Sequence, residues 1–289
     1  IFPFVLTWIG FKSTAPDGVV PETVIYSFYI GAAILLVCVI YSLAKIKEWP
    51  PQLYAEYNGI NQEKKEKTIP FFQCFRYRQT WSFISGKFFT DGVWWFFLFW
   101  MPSYLKTTYG LASTDIKFQL ALGLLYLIVM ASIAGGYLPT LFVDKKKMNP
   151  YAGRMLAMLI FAFFPLVALA AQPLAHVSMW WPVVLIGIAG AAHQAWSANL
   201  FSTIGDMFPK SMIATITGIG GMAGGIGSFL IQKGAGALFD FSASSGMVLF
   251  GYAGKEAGYM IMFSFCAVAY LIGWVIMKVL VPRYKAVEI

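Results

Sequence analysis

Seven stretches of about 20 apolar residues, set apart by polar segments, govern what this chain can become. They fall at about 23–44, 81–105, 118–142, 153–171, 179–205, 211–237 and 256–281. Each is long enough to cross a bilayer as a helix, which satisfies its own backbone N–H and C=O groups in hydrocarbon. Composition agrees. Of the 289 residues 59% are hydrophobic and 12% charged, and mean hydropathy is +0.68. The charged share is about half the usual quarter. A soluble domain of this length could not cover itself with so few charges.

The net charge of +8 could suggest nucleic acid. The basic residues do not form one patch, however. They alternate with the apolar runs, as membrane topology requires. One side carries Lys45, Lys47, Lys64, Lys65, Lys67, Arg76, Arg78, Lys145, Lys146, Lys147, Arg154, Lys210, Lys278, Arg283 and Lys285. The other carries Lys12, Lys106, Lys117, Lys233 and Lys255, and Lys87 lies inside a span. Positive residues gather in the cytoplasm, so the C-terminus is expected there. The first 20 residues read as the end of an earlier span plus an external loop. The opening Ile1-Phe2-Pro3-Phe4 is mid-hydrophobic and lacks a start Met, so the chain is expected to be a fragment. Cys38, Cys74 and Cys266 match no disulfide or metal spacing and read as inert thiols.

Polar groups at bilayer depth are costly, and each needs a reason. Lys87 and Asp91 stand four apart, on one helix face. Two readings stand: a substrate- or proton-linked pair facing a central cavity, or a structural pair that makes both charges tolerable. Trp95 lies one turn beyond Asp91. An indole beside a charge can hold a sugar ring, although a Trp facing lipid or a neighbouring helix would look the same in sequence; for Trp94 the packing reading is preferred. In the span at 179–205, His193, Trp196 and Asn199 step by three along one face, bordered by Gln194 and Ser197. This is the densest neutral polar cluster in any span and is expected to line a cavity.

The run Gly218-Ile-Gly-Gly-Met-Ala-Gly-Gly-Ile-Gly227 lacks G-x-G-x-x-G spacing and follows no strand, so it is not a nucleotide loop. Its pairs Gly220/Gly224 and Gly221/Gly225 suit close helix approach and flexure, with Met222 as a candidate cavity contact. Ala134-Gly-Gly and Ala223-Gly-Gly form a faint internal echo between the second and fifth of the last six spans, as inverted three-helix repeats would produce. Asp144, followed by three lysines, reads either as part of a positive-inside anchor or as a gating latch. Some membrane-embedded acyltransferases use an intramembrane His with a nearby Asn, as His193 and Asn199 superficially offer. No second acid–base or metal cluster accompanies them, and no enzyme is expected.

These residues carry a family resemblance. Lys87-Phe-Phe-Thr-Asp-Gly-Val-Trp-Trp-Phe-Phe-Leu-Phe-Trp-Met-Pro102 resembles the seventh span of hexuronate transporters, in the anion:cation symporter family of the major facilitator superfamily. His193-Gln-Ala-Trp-Ser-Ala-Asn-Leu-Phe and Asp206-Met-Phe-Pro-Lys resemble their tenth span and the loop after it, and Gly218-Ile-Gly-Gly-Met-Ala-Gly-Gly their eleventh. The match covers about 70–289. Residues 1–50, with Phe4-Val-Leu-Thr-Trp8, Tyr26-Ser-Phe-Tyr-Ile-Gly-Ala and Lys47-Glu-Trp-Pro-Pro51, look like sucrose/maltose:proton symporters of the same superfamily. Asp144-Lys-Lys-Lys sits where the superfamily's second-half loop motif falls, without its Arg-x-Gly-Arg-Arg pattern.

The resemblance implies an all-α polytopic membrane protein of major-facilitator type, with about seven transmembrane helices. Residues 1–44 would be the end of span five, an external loop and span six. Residues 45–80 would be the cytoplasmic central loop and 81–289 the six-helix C-terminal domain. It implies proton-coupled symport of a hexuronate or related sugar acid across a bacterial inner membrane, with neutral sugar:proton symport as the alternative. The substrate-binding candidates are Trp95, His193, Gln194, Trp196, Asn199 and Met222, and the coupling or gating candidates Lys87, Asp91 and Asp144. The partners are the sugar acid, protons, the bilayer and the missing N-terminal half. No cofactor, metal or nucleic acid is expected.

Overall fold

The structure, a computed structural model, describes residues 22–45 and 69–288. The expected span-five end, the external loop before 22 and most of the central loop lie outside these residues. The chain divides into two compact units, Ile1–Glu66 and Lys67–Ile289. Of the first, α1 (Glu22–Lys45) is described. It is apolar, and Phe28, Leu35 and Ile40 are exposed along it.

Among the described residues, the second unit contains six helical rods. The first is α2 (Arg78–Tyr109), which ends where Gly110 turns left-handed at φ 64° and its N–H returns to the Lys106 carbonyl. Rod two joins α3 (Ile116–Met130) through a 3-10 stretch, Ala131–Tyr137, to α4 (Leu138–Lys146). Rod three joins α5 (Pro150–Phe163) through a 3-10 stretch, Phe164–Ala170, to α6 (Ala171–Ala175). Asn149 caps α5 by accepting from the Tyr151 N–H, with Pro150 at the first helical position. Pro165 opens the 3-10 stretch of rod three, where its missing N–H interrupts the α ladder. The last three rods are α7 (Trp180–Met207), α8 (Lys210–Ser244) and α9 (Lys255–Leu280). A hairpin of β1 (Val248–Leu249) and β2 (Tyr252–Ala253) links α8 to α9. Its loop residues Phe250 and Gly251 both have positive φ, as a tight two-residue turn requires.

Every expected span is a helix or a helix with a 3-10 break. Among the described residues, five stretches are long and apolar enough to cross a membrane by composition: those in α1, rods two and three, α8 and α9. The other two rods, α2 and α7, have 32 and 28 residues and so ample length. They are the rods that carry Lys87, Asp91 and the His193 cluster, whose polar groups lower their hydropathy. Several boundaries differ from expectation: α8 continues to Ser244, past the expected 237, and rod three is longer at both ends. A 3-10 turn, Phe71–Arg76, and the start of α2 occupy the end of the stretch read as loop. The hairpin, four strand residues long, is too short to leave an alternating pattern.

The packing is symmetric in a specific way. α2 packs mainly on α8 and α9, whereas α7 packs mainly on rods two and three. Exchanging the first three rods with the last three maps one set of contacts onto the other. The glycine echo obeys the same exchange. A Cβ on Gly135 of rod two would strike Ala195 of α7, and a Cβ on Gly224 of α8 would strike Asp91 of α2. The next glycines, Gly136 and Gly225, face open space. Close approach through small residues is how helices gain contact in lipid, where hydrophobic burial offers little drive.

Candidate functional site

α2 and α8 build the charged part of the site. Gly220, Gly224 and Gly227 form a stripe of α8 turned toward α2, against the Phe83 ring, the Asp91 carboxylate and the Phe88 carbonyl. Of the two small-residue pairs noted in the sequence, Gly220/Gly224 is the packed one. Gly221 and Gly225 have nothing near them. The absence of a Cβ at Gly224 leaves room for a carboxylate between the two helices. There Asp91 Oδ2 accepts from Lys87 Nζ at 2.7 Å, as the spacing of four predicts. The side chains are 8% and 14% exposed. Asp91 Oδ1 is buried with no hydrogen-bond partner. The Lys87 ammonium also lies over the Phe201 ring of α7, 4.6 Å from its centroid. One half of this carboxylate is therefore saturated and the other half is not.

α7 is arranged differently. His193, Trp196 and Asn199 share a face, as their spacing requires, and that face turns into the bundle. They are 4%, 0% and 2% exposed. His193 Nδ1 is 2.6 Å from the Tyr270 hydroxyl of α9, which also lies 3.4 Å from the Thr90 carbonyl of α2. The His193 ring stacks on Trp94 at 5.2 Å and 7°. Trp196 packs edge-to-face on Tyr270. Asn199 donates to the Ala195 carbonyl of its own helix. All three are turned inward: His193 and Trp196 make contacts with α2 and α9, and Asn199 bonds within α7. The cause is that α7 packs on several rods at once, which leaves Gln194 and Ala198, not His193, on its exposed side.

The remaining candidates are open. Trp95 is 40% exposed and stacks on Phe99, and Met222 is 52% exposed on α8, two residues from Gly224. Gln194 borders an open cleft of about 360 Å³ with Met130, Ser132, Gly136 and Ala198. Lys87 and Asp91 touch each other. Trp95 on α2, Met222 on α8 and Gln194 on α7 stand apart from that pair, and their shared feature is exposure. Asp144 is exposed at the end of α4. The ion pair at that end of the bundle is another one: Arg154 of α5 donates to Asp206 of α7 through Nε at 2.7 Å and Nη2 at 3.4 Å.

Sequence reasoning missed Tyr270, which ties three helices, and Gln232 of α8, which accepts from Trp100 at 2.6 Å. A hydroxyl and an amide inside apolar runs were the available signals. Cys74 and Cys266 are buried and Cys38 is exposed. Burial raises the Cys74 thiol above its ordinary pKa, which keeps it protonated. Among the described residues no three His, Cys, Asp or Glu side chains come together as metal ligands.

Comparison with known proteins places this geometry. The chain is 25% identical over 233 residues to the hexuronate transporter of Escherichia coli strain K12, covering 79% of this chain and 49% of that protein. The hexuronate transporter of Escherichia coli O157:H7 matches with the same values. The chain thus spans about half the length of the curated relatives it matches. The profile of the Major Facilitator Superfamily matches residues 3–231. With six rods packed as two exchangeable triplets, and with that profile running from near the start of the chain into α8, this multi-pass membrane protein belongs to the Major Facilitator Superfamily.

Proposed function

We propose that this chain forms the C-terminal part of a proton-coupled symporter for a hexuronate or related sugar acid, with Lys87 and Asp91 at the point of coupling. Residues 81–289 act as the six-helix domain, 45–80 as the central loop and α1 as the sixth span, beside a companion N-terminal half. The single observation that carries this reading is the buried Lys87–Asp91 pair, closed at 2.7 Å with one carboxylate oxygen left without a partner. Two opposite charges tolerate a low dielectric only while paired. A proton taken up from the entry side onto Asp91 frees the Lys87 ammonium, and the carboxylate of a sugar acid takes the vacated place. The two events are therefore concerted: one negative charge replaces another beside Lys87, and no bare ion is left. Release of both ligands on the far side restores the pair. Trp95 supplies an apolar platform for the sugar ring, Gln194 an amide for its hydroxyls and Met222 an adaptable apolar contact.

The similarity to the hexuronate transporters, at 25% identity, supports the substrate class. The loops rich in Lys and Arg support a bacterial inner-membrane orientation with the C-terminus in the cytoplasm. An acyltransferase-like enzyme would need His193 and Asn199 open to substrate, whereas both are buried and hydrogen-bonded inside the domain.

The test is uptake of radiolabelled galacturonate and glucuronate into right-side-out vesicles from cells expressing the intact gene. Saturable uptake that a protonophore abolishes is the expected result. Uptake of a neutral hexose without the uronates would replace the sugar-acid reading with the neutral-sugar one. Uronate uptake indifferent to the protonophore would remove proton coupling.

A further inference from the structure

The entrance to α2 carries a feature that transport does not explain. The 3-10 turn Phe71–Arg76 folds back on the first turns of α2. The Trp81 indole donates to the Phe75 carbonyl at 2.8 Å, and the Thr80 hydroxyl to the Cys74 carbonyl at 2.7 Å. Cys74 is fully buried beneath the turn. The rings above it are not: Phe72 is 82% exposed, Trp81 47% and Phe71 42%. They form one edge-to-face series, Phe72 on Phe71 at 5.4 Å, Phe71 on Phe75 at 5.6 Å and Phe75 tilted on Trp81 at 5.9 Å. An exposed aromatic row held rigid by backbone hydrogen bonds calls for a partner.

The surrounding charge identifies that partner. Arg76 closes the turn, Arg78 opens α2, both are exposed, and α2 has no acidic residue in its first turn. Two guanidinium groups thus add to the positive end of a 32-residue helix dipole, where anions are favoured and cations are not. The Gln79 amide donates to the Lys285 carbonyl at 2.9 Å and so brings the backbone of a third basic residue, its side chain exposed, to the same end. Apolar rings next to clustered cations, at the mouth of a membrane-crossing helix, match the boundary between acyl chains and anionic headgroups.

We infer that this aromatic foot is an anionic-lipid site: the Phe71, Phe72 and Trp81 rings lie at the acyl boundary while Arg76 and Arg78 hold a phosphodiester headgroup. The site requires only that the chain is a membrane protein and is independent of the transported substrate.

Two measurements on the full chain test it. In nanodiscs of phosphatidylcholine and phosphatidylglycerol brominated near the headgroup, wild type loses more fluorescence than Trp81→Phe, and the difference accounts for the Trp81 emission. An equal loss in the two proteins would mean that protein, such as residues 46–68, covers the rings, and would overturn the inference. In native mass spectrometry of detergent-purified protein, phosphatidylglycerol retention falls in the Arg76→Gln/Arg78→Gln variant, on the order of fivefold per arginine, while phosphatidylcholine retention does not. Equal phosphatidylglycerol retention by variant and wild type would overturn the headgroup assignment. The two arginine substitutions are at exposed positions and remove no hydrogen bond described above, whereas Trp81→Phe gives up the Trp81–Phe75 bond and serves only as the fluorescence blank.

Discussion

On α2, Lys87 and Asp91 hold each other beside a glycine of α8, with one carboxylate oxygen unsatisfied. On α7, His193 and Asn199 hydrogen-bond to groups of their own domain, and Trp94 covers the His193 ring. The first arrangement can exchange partners, because a proton or an anion can replace either member. The second carries no charge and leaves only the Trp196 indole N–H buried without a partner, and opening it would separate α2, α7 and α9. What separates the two is charge: the pair on α2 is ionic and incompletely matched, whereas the α7 cluster is neutral and joins helices.

The largest effect that can break this comparison comes from Lys87→Met. It leaves Asp91 buried without its cation, which costs about 3–5 kcal/mol where the carboxylate stays charged. A steep fall in the detergent melting temperature and complete loss of uronate uptake are expected. Gly224→Ala comes next. Its new Cβ collides with the Asp91 carboxylate, and overpacking of this kind costs about 1–3 kcal/mol. Uptake should fall with stability, whereas Gly221→Ala and Gly225→Ala, which face open space, should change the melting temperature little. Equal effects at all three glycines would show that α8 flexure, not the cradle around Asp91, is what the glycines supply.

On the α7 side, Tyr270→Phe removes the hydroxyl between His193 and the Thr90 carbonyl. A loss of about 1 kcal/mol is expected, near the value of a single buried hydrogen bond. Thermal melting should register it while the KM for uronate stays close to wild type. A large KM change with unaltered stability would move the His193 cluster back among the substrate contacts. The smallest effect belongs to Arg154→Ala. Its pair with Asp206 is partly exposed and contributes under about 1 kcal/mol, so stability should barely change. Faster labelling of a cysteine placed at that end of α7 would reveal a latch, and unchanged labelling a passive clamp.

The spans were legible because length and hydropathy suffice to define a membrane helix, and the pair Lys87–Asp91 because a spacing of four fixes a shared face. The direction in which α7 turns its polar face was not. Small and apolar residues, from Gly187 and Gly190 to Ala192 and Ala195, surround that helix, so its periodicity does not tell a cavity from a neighbouring rod. Tyr270 was hidden for a related reason: one tyrosine in an apolar run looks like an interfacial ring until α2 and α7 are placed beside it. The Arg154–Asp206 bond joins residues 52 apart, whereas Asp144 stood next to lysines in sequence and drew the latch reading to itself. The Gly220/Gly224 stripe and its open neighbour Gly221/Gly225 have identical spacing, and only the position of α2 separates them.

The most direct measurement is uronate uptake by the double variant Lys87→Met/Asp91→Leu, which removes both charges together and spares the bundle an unpaired ion. A variant that melts near the wild-type temperature but takes up no uronate is the predicted result, since the ammonium that receives the substrate carboxylate is gone. Recovery of wild-type uptake in that variant would contradict it and show the pair to be structural.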